Sequence, residues 1–222
     1  MRILSRLLQL NARNMQRSYR MRAFLVCFSF VLATLVAQSV FAYDSTKFPG
    51  KGTIDAWEKA SEIALAAYNL AKQGKRAEAL KQYQQAISVY PYAACDYHDC
   101  GYECHKLGDN KTAVQYLKKA IEMAPDFELA WLTLGNTYED LKDYPAAEHA
   151  FKKAVELNPK YIDAVVDLAD LYILMRRPED ARKYLSIANG LPRSNEPKVR
   201  GIIDEEQAKL EQLTRALRQA GE

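Results

Sequence analysis

The sequence predicts an all-α protein, an α-solenoid of about four helix-turn-helix units closed by a C-terminal capping helix. Three observations carry that expectation. Pro91, Pro125 and Pro159 stand 34 residues apart, and a register built on them aligns much of the chain between. Small residues recur at fixed places in each unit, as closely packed helical hairpins require. The 222 residues are 49% hydrophobic and 27% charged but include only 9 Gly and 8 Pro, a balance that buries a core and favours helix.

Taken in chain order, residues 1–42 come first. They contain six arginines (Arg2, Arg6, Arg13, Arg17, Arg20 and Arg22), no lysine and no acid. Arg20 and Arg22 precede an uncharged run, Ala23 to Ala37, whose length suits the apolar segment of a secretory signal. Val40 and Ala42 are small enough for the −3 and −1 pockets of a signal peptidase. Residues 1–42 therefore read as a signal peptide cleaved after Ala42, with Met21 as an alternative start. The other reading is an uncleaved inner-membrane anchor, since residues 23–42 are just long enough to span a bilayer. Cys27 lies inside the apolar run, not after it, which argues against lipid attachment. Removing the six leader arginines from 31 basic residues leaves 25 against 28 acids, so the remainder is mildly acidic. Such a chain offers no phosphate-neutralising surface, and nucleic acid is not expected as a partner. Residues 43–53 (YDSTKFPGKGT) read as a short flexible lead-in.

Four units follow. Unit one, residues 54–93 with a preceding helical turn, carries Ile63, Ala66, Ala67, Leu70, Ala79, Tyr83, Ala86 and Pro91 in register. Unit two, residues 94–127, places Tyr97, Cys100, Gly101, Cys104, Ala113, Leu117, Ala120 and Pro125 at the same points. Unit three, residues 128–161, has Trp131, Leu134, Gly135, Tyr138, Ala147, Phe151, Ala154 and Pro159. Unit four, residues 162–193, repeats Val165, Leu168, Ala169, Tyr172, Ala181, Leu185 and Ala188, but Gly190 and Pro192 stop its second helix early. Gly101, Gly135 and Ala169 would let paired helices approach, with Ala113, Ala147 and Ala181 expected opposite them. Gly74 and Gly108 fall where a left-handed residue ends a first helix, and each proline follows a second helix. One hairpin cannot bury its own apolar face, so neighbours must stack. Residues 196–221 read as the terminal cap, with Val199, Ile202, Ile203, Leu210, Leu213 and Leu217 as its apolar stripe.

The residues of unit three stand where the tetratricopeptide repeat family has its signature, and the chain closely resembles that family over roughly residues 60–193. The resemblance implies that the first helices of successive units line a concave groove that receives a protein or peptide partner. Carried over by position, this groove includes Ala64, Tyr68 and Lys72; Cys95, His98, Asp99, Tyr102, His105 and Lys106; Leu129, Leu132, Asn136 and Glu139; and Asp163, Val166, Asp167 and Asp170. Some members grip acidic C-terminal tails with a clamp of lysine, arginine and asparagine. Asn136 matches one clamp position, but Leu132 stands where a basic residue is needed and Asp170 where a cation would help. The clamp is absent. The aspartates suit a basic or amide-rich segment instead, with Tyr68 and Tyr102 as apolar anchors; the alternative is a solvated helix face.

The segment Cys95 to His105 supports three readings. Cys100 and Cys104 occupy signature positions and would be interior packing residues. Cys95, His98 and Asp99 share one face and could contribute to a metal site, though they close no four-ligand shell. The Cys100–Cys104–His105 spacing departs from haem attachment by one extra residue. Disulfides between Cys100 and Cys104 are disfavoured by helical geometry, and Cys95, near a helix start, is the thiol expected to react first. The sequence has no phosphate-cradling glycine loop, zinc-protease pair or nucleophile elbow. His149 belongs to a second helix, away from the groove. No enzyme, cofactor or small-molecule substrate is expected. With its leader, the chain looks like periplasmic proteins of Gram-negative bacteria, in which such arrays serve envelope assembly or secretion. The competing classes are a metal or haem carrier and a structural subunit of an envelope complex.

Overall fold

A computed structural model describes residues 53–220, residues 193 and 195 excepted. The expected signal peptide or anchor and all but the last residue of the lead-in lie outside the described residues. Among those described the chain is helical and contains no strand: α1 (Thr53–Lys72), α2 (Arg76–Val89), α3 (Ala94–Lys106), α4 (Asn110–Met123), α5 (Glu128–Asp140), α6 (Tyr144–Leu157), α7 (Ile162–Leu174), α8 (Pro178–Gly190) and α9 (Pro197–Ala220).

The 34-residue register reappears as one packing solution used four times. Ala79, Ala113, Ala147 and Ala181 on the second helices are completely buried. Four residues on, Tyr83, Leu117, Phe151 and Leu185 fill the space between paired helices, and Ala86, Ala120, Ala154 and Ala188 complete the stripe. Helices pair as α3 with α4, α5 with α6 and α7 with α8. Each pair then leans on the next, α2 on α3, α4 on α5 and α6 on α7. Along the inner side α3 meets α5, α5 meets α7, and α9 takes the next place beside α7.

The structure refines one expected contact. The close approach at Gly101 and Gly135 is made by the large residue four positions beyond the alanine. A Cβ at Gly135 would run into the Phe151 ring, and one at Gly101 would lie 2.6 Å from Leu117 Cγ and 3.2 Å from the carbonyl oxygen of the expected Ala113. Glycine is needed because a bulky side chain sits directly against the backbone.

Turns repeat as well. Gly74 and Gly108 have φ of 80° and 83°, and the equivalent Lys142 and Arg176 adopt 60° and 58°. The left-handed stop is thus a property of the repeat geometry, imposed on non-glycine residues in units three and four. Asp109 and Asp143 cap α4 and α6, their Oδ1 atoms accepting the backbone N–H of Thr112 and Ala146 at 3.2 and 3.3 Å.

The cap departs from its expected stripe. Val199, Ile203 and Leu210 are buried, but Ile202 is 40% exposed and Glu206 is only 5% exposed. The spacing explains this: positions 199, 203, 206 and 210 share one helical face, while 202 lies about 100° from 203. An acid therefore occupies a core position of α9.

Candidate functional site

The inner helices α3, α5 and α7 stand side by side with α9 next in line, and polar contacts join them. Between α3 and α5, His98 is buried and its ring packs on Phe127 with centroids 5.1 Å apart. Thr133 donates its hydroxyl to Leu129 O at 2.9 Å, so His98 Nε2–H donates to Thr133 Oγ1 at 3.2 Å. Lower on the same seam, His105 Nδ1 lies 3.4 Å from Asp140 Oδ2. Between α5 and α7, the Asn136 side chain lies near the Asp167 carboxyl and favours its ionised form. Between α7 and α9, Lys209 Nζ stands 3.5 Å from Asp170 Oδ1 and 2.7 Å from Glu206 Oε1.

Several residues expected to face a partner are thus spent on joining repeats. His98 and Leu132 are buried, and Asp99, Asn136, Glu139, Asp167 and Asp170 are half-buried. Ala64 and Val166 are buried too, with Leu129 and His105 half-buried. Tyr68, Lys72, Tyr102, Lys106 and Asp163 remain exposed. Lys72 lies over the Tyr68 ring at 5.3 Å and Lys106 over Tyr102 at 5.4 Å. The same aromatic-lysine pair therefore recurs one period apart on α1 and α3.

Charge along the inner face is segregated. Toward α1 and α3 it carries Lys72 and Lys106 beside tyrosines, with the half-buried Asp99 next to His98. Toward α5, α7 and α9 it carries Glu139, Asp140, Asp163, Asp167, Asp170, Glu205 and Glu206 around Lys209. Burial, reinforced by Asp163, Asp170 and Glu206, pushes the Asp167 carboxyl up to about 7 against the opposing influence of Asn136. Burial and the neighbouring Asp170, Asp167 and Asp140 raise Glu139 to about 7, and burial with Asp170 does the same for Glu206. Its hydrogen bond to Glu206, with Asp170 and Glu205 nearby, raises Lys209. Sequence reasoning missed Glu206 and Lys209. The available signal was an acid at the core spacing between Ile203 and Leu210.

Cys95 is half-buried at the second residue of α3, while Cys100 and Cys104 are interior. Burial, then Cys104 and nearby acids, push the Cys100 thiol far up; burial and Asp109 bring Cys104 to about 11. Neither is poised as a nucleophile. Among the described residues no three His, Cys, Asp or Glu side chains converge to hold a metal ion, the Cys95, His98 and Asp99 set included. His149 lies outside the groove, edge-on to Trp131 at 5.9 Å, in a cleft of about 350 Å³ shared with Ile121, Leu134 and Tyr138. Among the described residues no helix is long and apolar enough to cross a membrane.

Three models of the tetratricopeptide repeat match the chain, over residues 64–91, 106–162 and 140–190. Together the matched segments span just over half of it. The chain belongs to the tetratricopeptide repeat family. Solved tetratricopeptide-like structures resemble it at fold level. MamA, residues 41 to the end, from Desulfovibrio magneticus RS-1 superposes with a TM-score of 0.58 at 20% identity, covering 62% of this chain and 77% of that one. The first tetratricopeptide domain of Spaghetti (RPAP3), bound to the HSP90 peptide SRMEEVD, gives 0.52 at 19% identity, covering 53% and 94%. The Cut9–Hcn1 hetero-tetramer of the APC/C gives 0.60 at 18%, covering 66% of this chain and 29% of that one. No curated protein matches the sequence. A tetratricopeptide repeat array is an α-solenoid of the kind that serves as a protein-interaction scaffold.

Proposed function

We propose that this protein is a non-enzymatic scaffold that receives an extended segment of a partner protein along its inner groove. The observation carrying this reading is the exposed Tyr68–Lys72 and Tyr102–Lys106 pair, repeated on adjacent inner helices within an otherwise tightly seamed face. Exposed aromatics on a preformed concave surface anchor a guest without the cost of ordering the host. The segregated charge favours a segment with apolar or aromatic residues over α1 and α3 and basic residues over α5 to α9. The arginine-flanked apolar run before residue 42 supports export to the periplasm, by cleavage or with an inner-membrane anchor. Envelope assembly or secretion is the setting that fits.

A pull-down from native envelope extract tests this. Wild type should retain a partner that Tyr102→Ala retains at least about tenfold less, the usual effect of losing an aromatic anchor. Thermal unfolding should shift only slightly, because Tyr102 is 37% exposed and meets His98 with ring centroids 6.3 Å apart. Equal capture by wild type and a Tyr68→Ala, Tyr102→Ala double variant would remove the groove reading.

A further inference from the structure

The units share one register, so what fills a place in one unit identifies what is missing from it in another. In unit two, Tyr116 of α4 lies beside Tyr97 of α3 with ring centroids 6.5 Å apart. Its hydroxyl accepts a hydrogen bond from Gln84 Nε2 of α2 at 3.1 Å. In unit four, Tyr184 of α8 lies against Tyr172 of α7 with centroids 5.6 Å apart. Halfway between these tyrosines, 34 residues from each, unit three has Ala150. It is there, between α4 and α6, that the cleft of about 350 Å³ opens. Ala150 and Leu134 are buried on its floor. Its aromatic lining is kept, for Trp131 stands at the register of Tyr97 and Tyr138 at that of Tyr172. The Trp131 indole N–H already donates to Pro125 O at 2.9 Å, so this residue offers a ring and no free donor. Lys118 stands at the register of Gln84, with Nζ 5.9 Å from the centroid of the Tyr138 ring. The donor and the aromatic wall are therefore present without the phenol that they serve in unit two.

We infer that this cleft is a docking site for a tyrosine side chain of a partner protein. The inference is independent of the groove reading, because the cleft lies between second helices and its residues take no part in the inner face. The guest ring does for unit three what Tyr116 and Tyr184 do for their own units, packing on Trp131 and Tyr138 with the gain that aromatic pairs add to area burial. Its hydroxyl oxygen accepts from Lys118 as Tyr116 accepts from Gln84. An aliphatic guest gains burial alone, and a phenylalanine leaves the ammonium without an acceptor.

The test follows Trp131 emission in the whole protein carrying Trp57→Phe, which leaves Trp131 as the sole tryptophan. The probe is an end-blocked glycine pentapeptide with a central tyrosine, beside its phenylalanine and alanine analogues. The tyrosine peptide should bind at least about tenfold more tightly than the alanine peptide, from ring burial. It should bind about fivefold more tightly than the phenylalanine peptide, from the hydrogen bond. Ala150→Tyr supplies the ring from within and should abolish the response. Lys118→Leu, at an exposed position, should bind the tyrosine and phenylalanine peptides equally. The Tyr68→Ala, Tyr102→Ala double variant should respond as the parent does, which separates this site from the groove. No response to the tyrosine peptide, an undiminished response in folded Ala150→Tyr, or a response lost in the double variant would overturn the assignment. Should Ala150→Tyr fail to fold, Lys118→Leu decides: a preference for tyrosine that survives this change overturns it.

Discussion

Each turn within a repeat depends on a single residue with positive φ, and units three and four fill that place with Lys142 and Arg176. A side chain with a Cβ in the left-handed region costs about 1–2 kcal/mol, part of which glycine returns through its larger unfolded-state entropy. Lys142→Gly should therefore stabilise the protein by about 0.5–1 kcal/mol, read as a higher urea midpoint with an unchanged slope. Gly74 and Gly108 made this position legible in units one and two. In units three and four the sequence carries no sign of it, because the conformation is imposed by the recurring helix–turn–helix path.

Within a helix, a glycine's value depends on what faces it. Gly135 sits on α5 where a Cβ would run into the Phe151 ring, whereas Gly201 on α9 has nothing within 4 Å. Alanine raises helix propensity by up to about 1 kcal/mol at either place, but overpacking costs about 1–3 kcal/mol. Gly135→Ala should lower the thermal midpoint and Gly201→Ala should raise it. Equal shifts of one sign would mean that the α5–α6 spacing is not set by this contact. The 34-residue period singled out Gly135 but paired it with Ala147; only the packed helices show that Phe151 occupies the space. Helix α9 teaches the same lesson, since Glu206 lies on a stripe that hydropathy alone would have drawn through Ile202.

At the scale of the molecule, the carboxylates gathered by α5, α7 and α9 make stability depend on pH. Glu139, Asp167 and Glu206 titrate near 7 in the fold and near 4 when unfolded. The folded state then holds protons that the unfolded state has released, so their contribution is full below about 4 and is lost as pH rises through about 7. The urea midpoint should fall between pH 5 and pH 8, and the combined Glu206→Gln, Asp167→Asn variant should show a flatter profile. A midpoint that climbs over that interval in wild type would contradict the buried cluster. Lys209 stays charged throughout and leaves the sign unchanged.

Architecture was decided by the sequence because it rests on a local, repeated rule. Alanine, a large residue and alanine at spacings of four and three, set every 34 residues, bury one face of each hairpin whatever lies further away. The interior places of Cys100 and Cys104 follow from the same rule. The state of the groove was not decided locally. His98, Asn136 and Asp167 carry polar side chains on inner helices, and only the approach of the next helix turns them from candidate contacts into seams. Glu206 and Lys209 entered the site from a segment at least 36 residues beyond Asp170 in the chain. Burial and charge add over everything within a few ångströms, and that neighbourhood exists only once the helices are stacked.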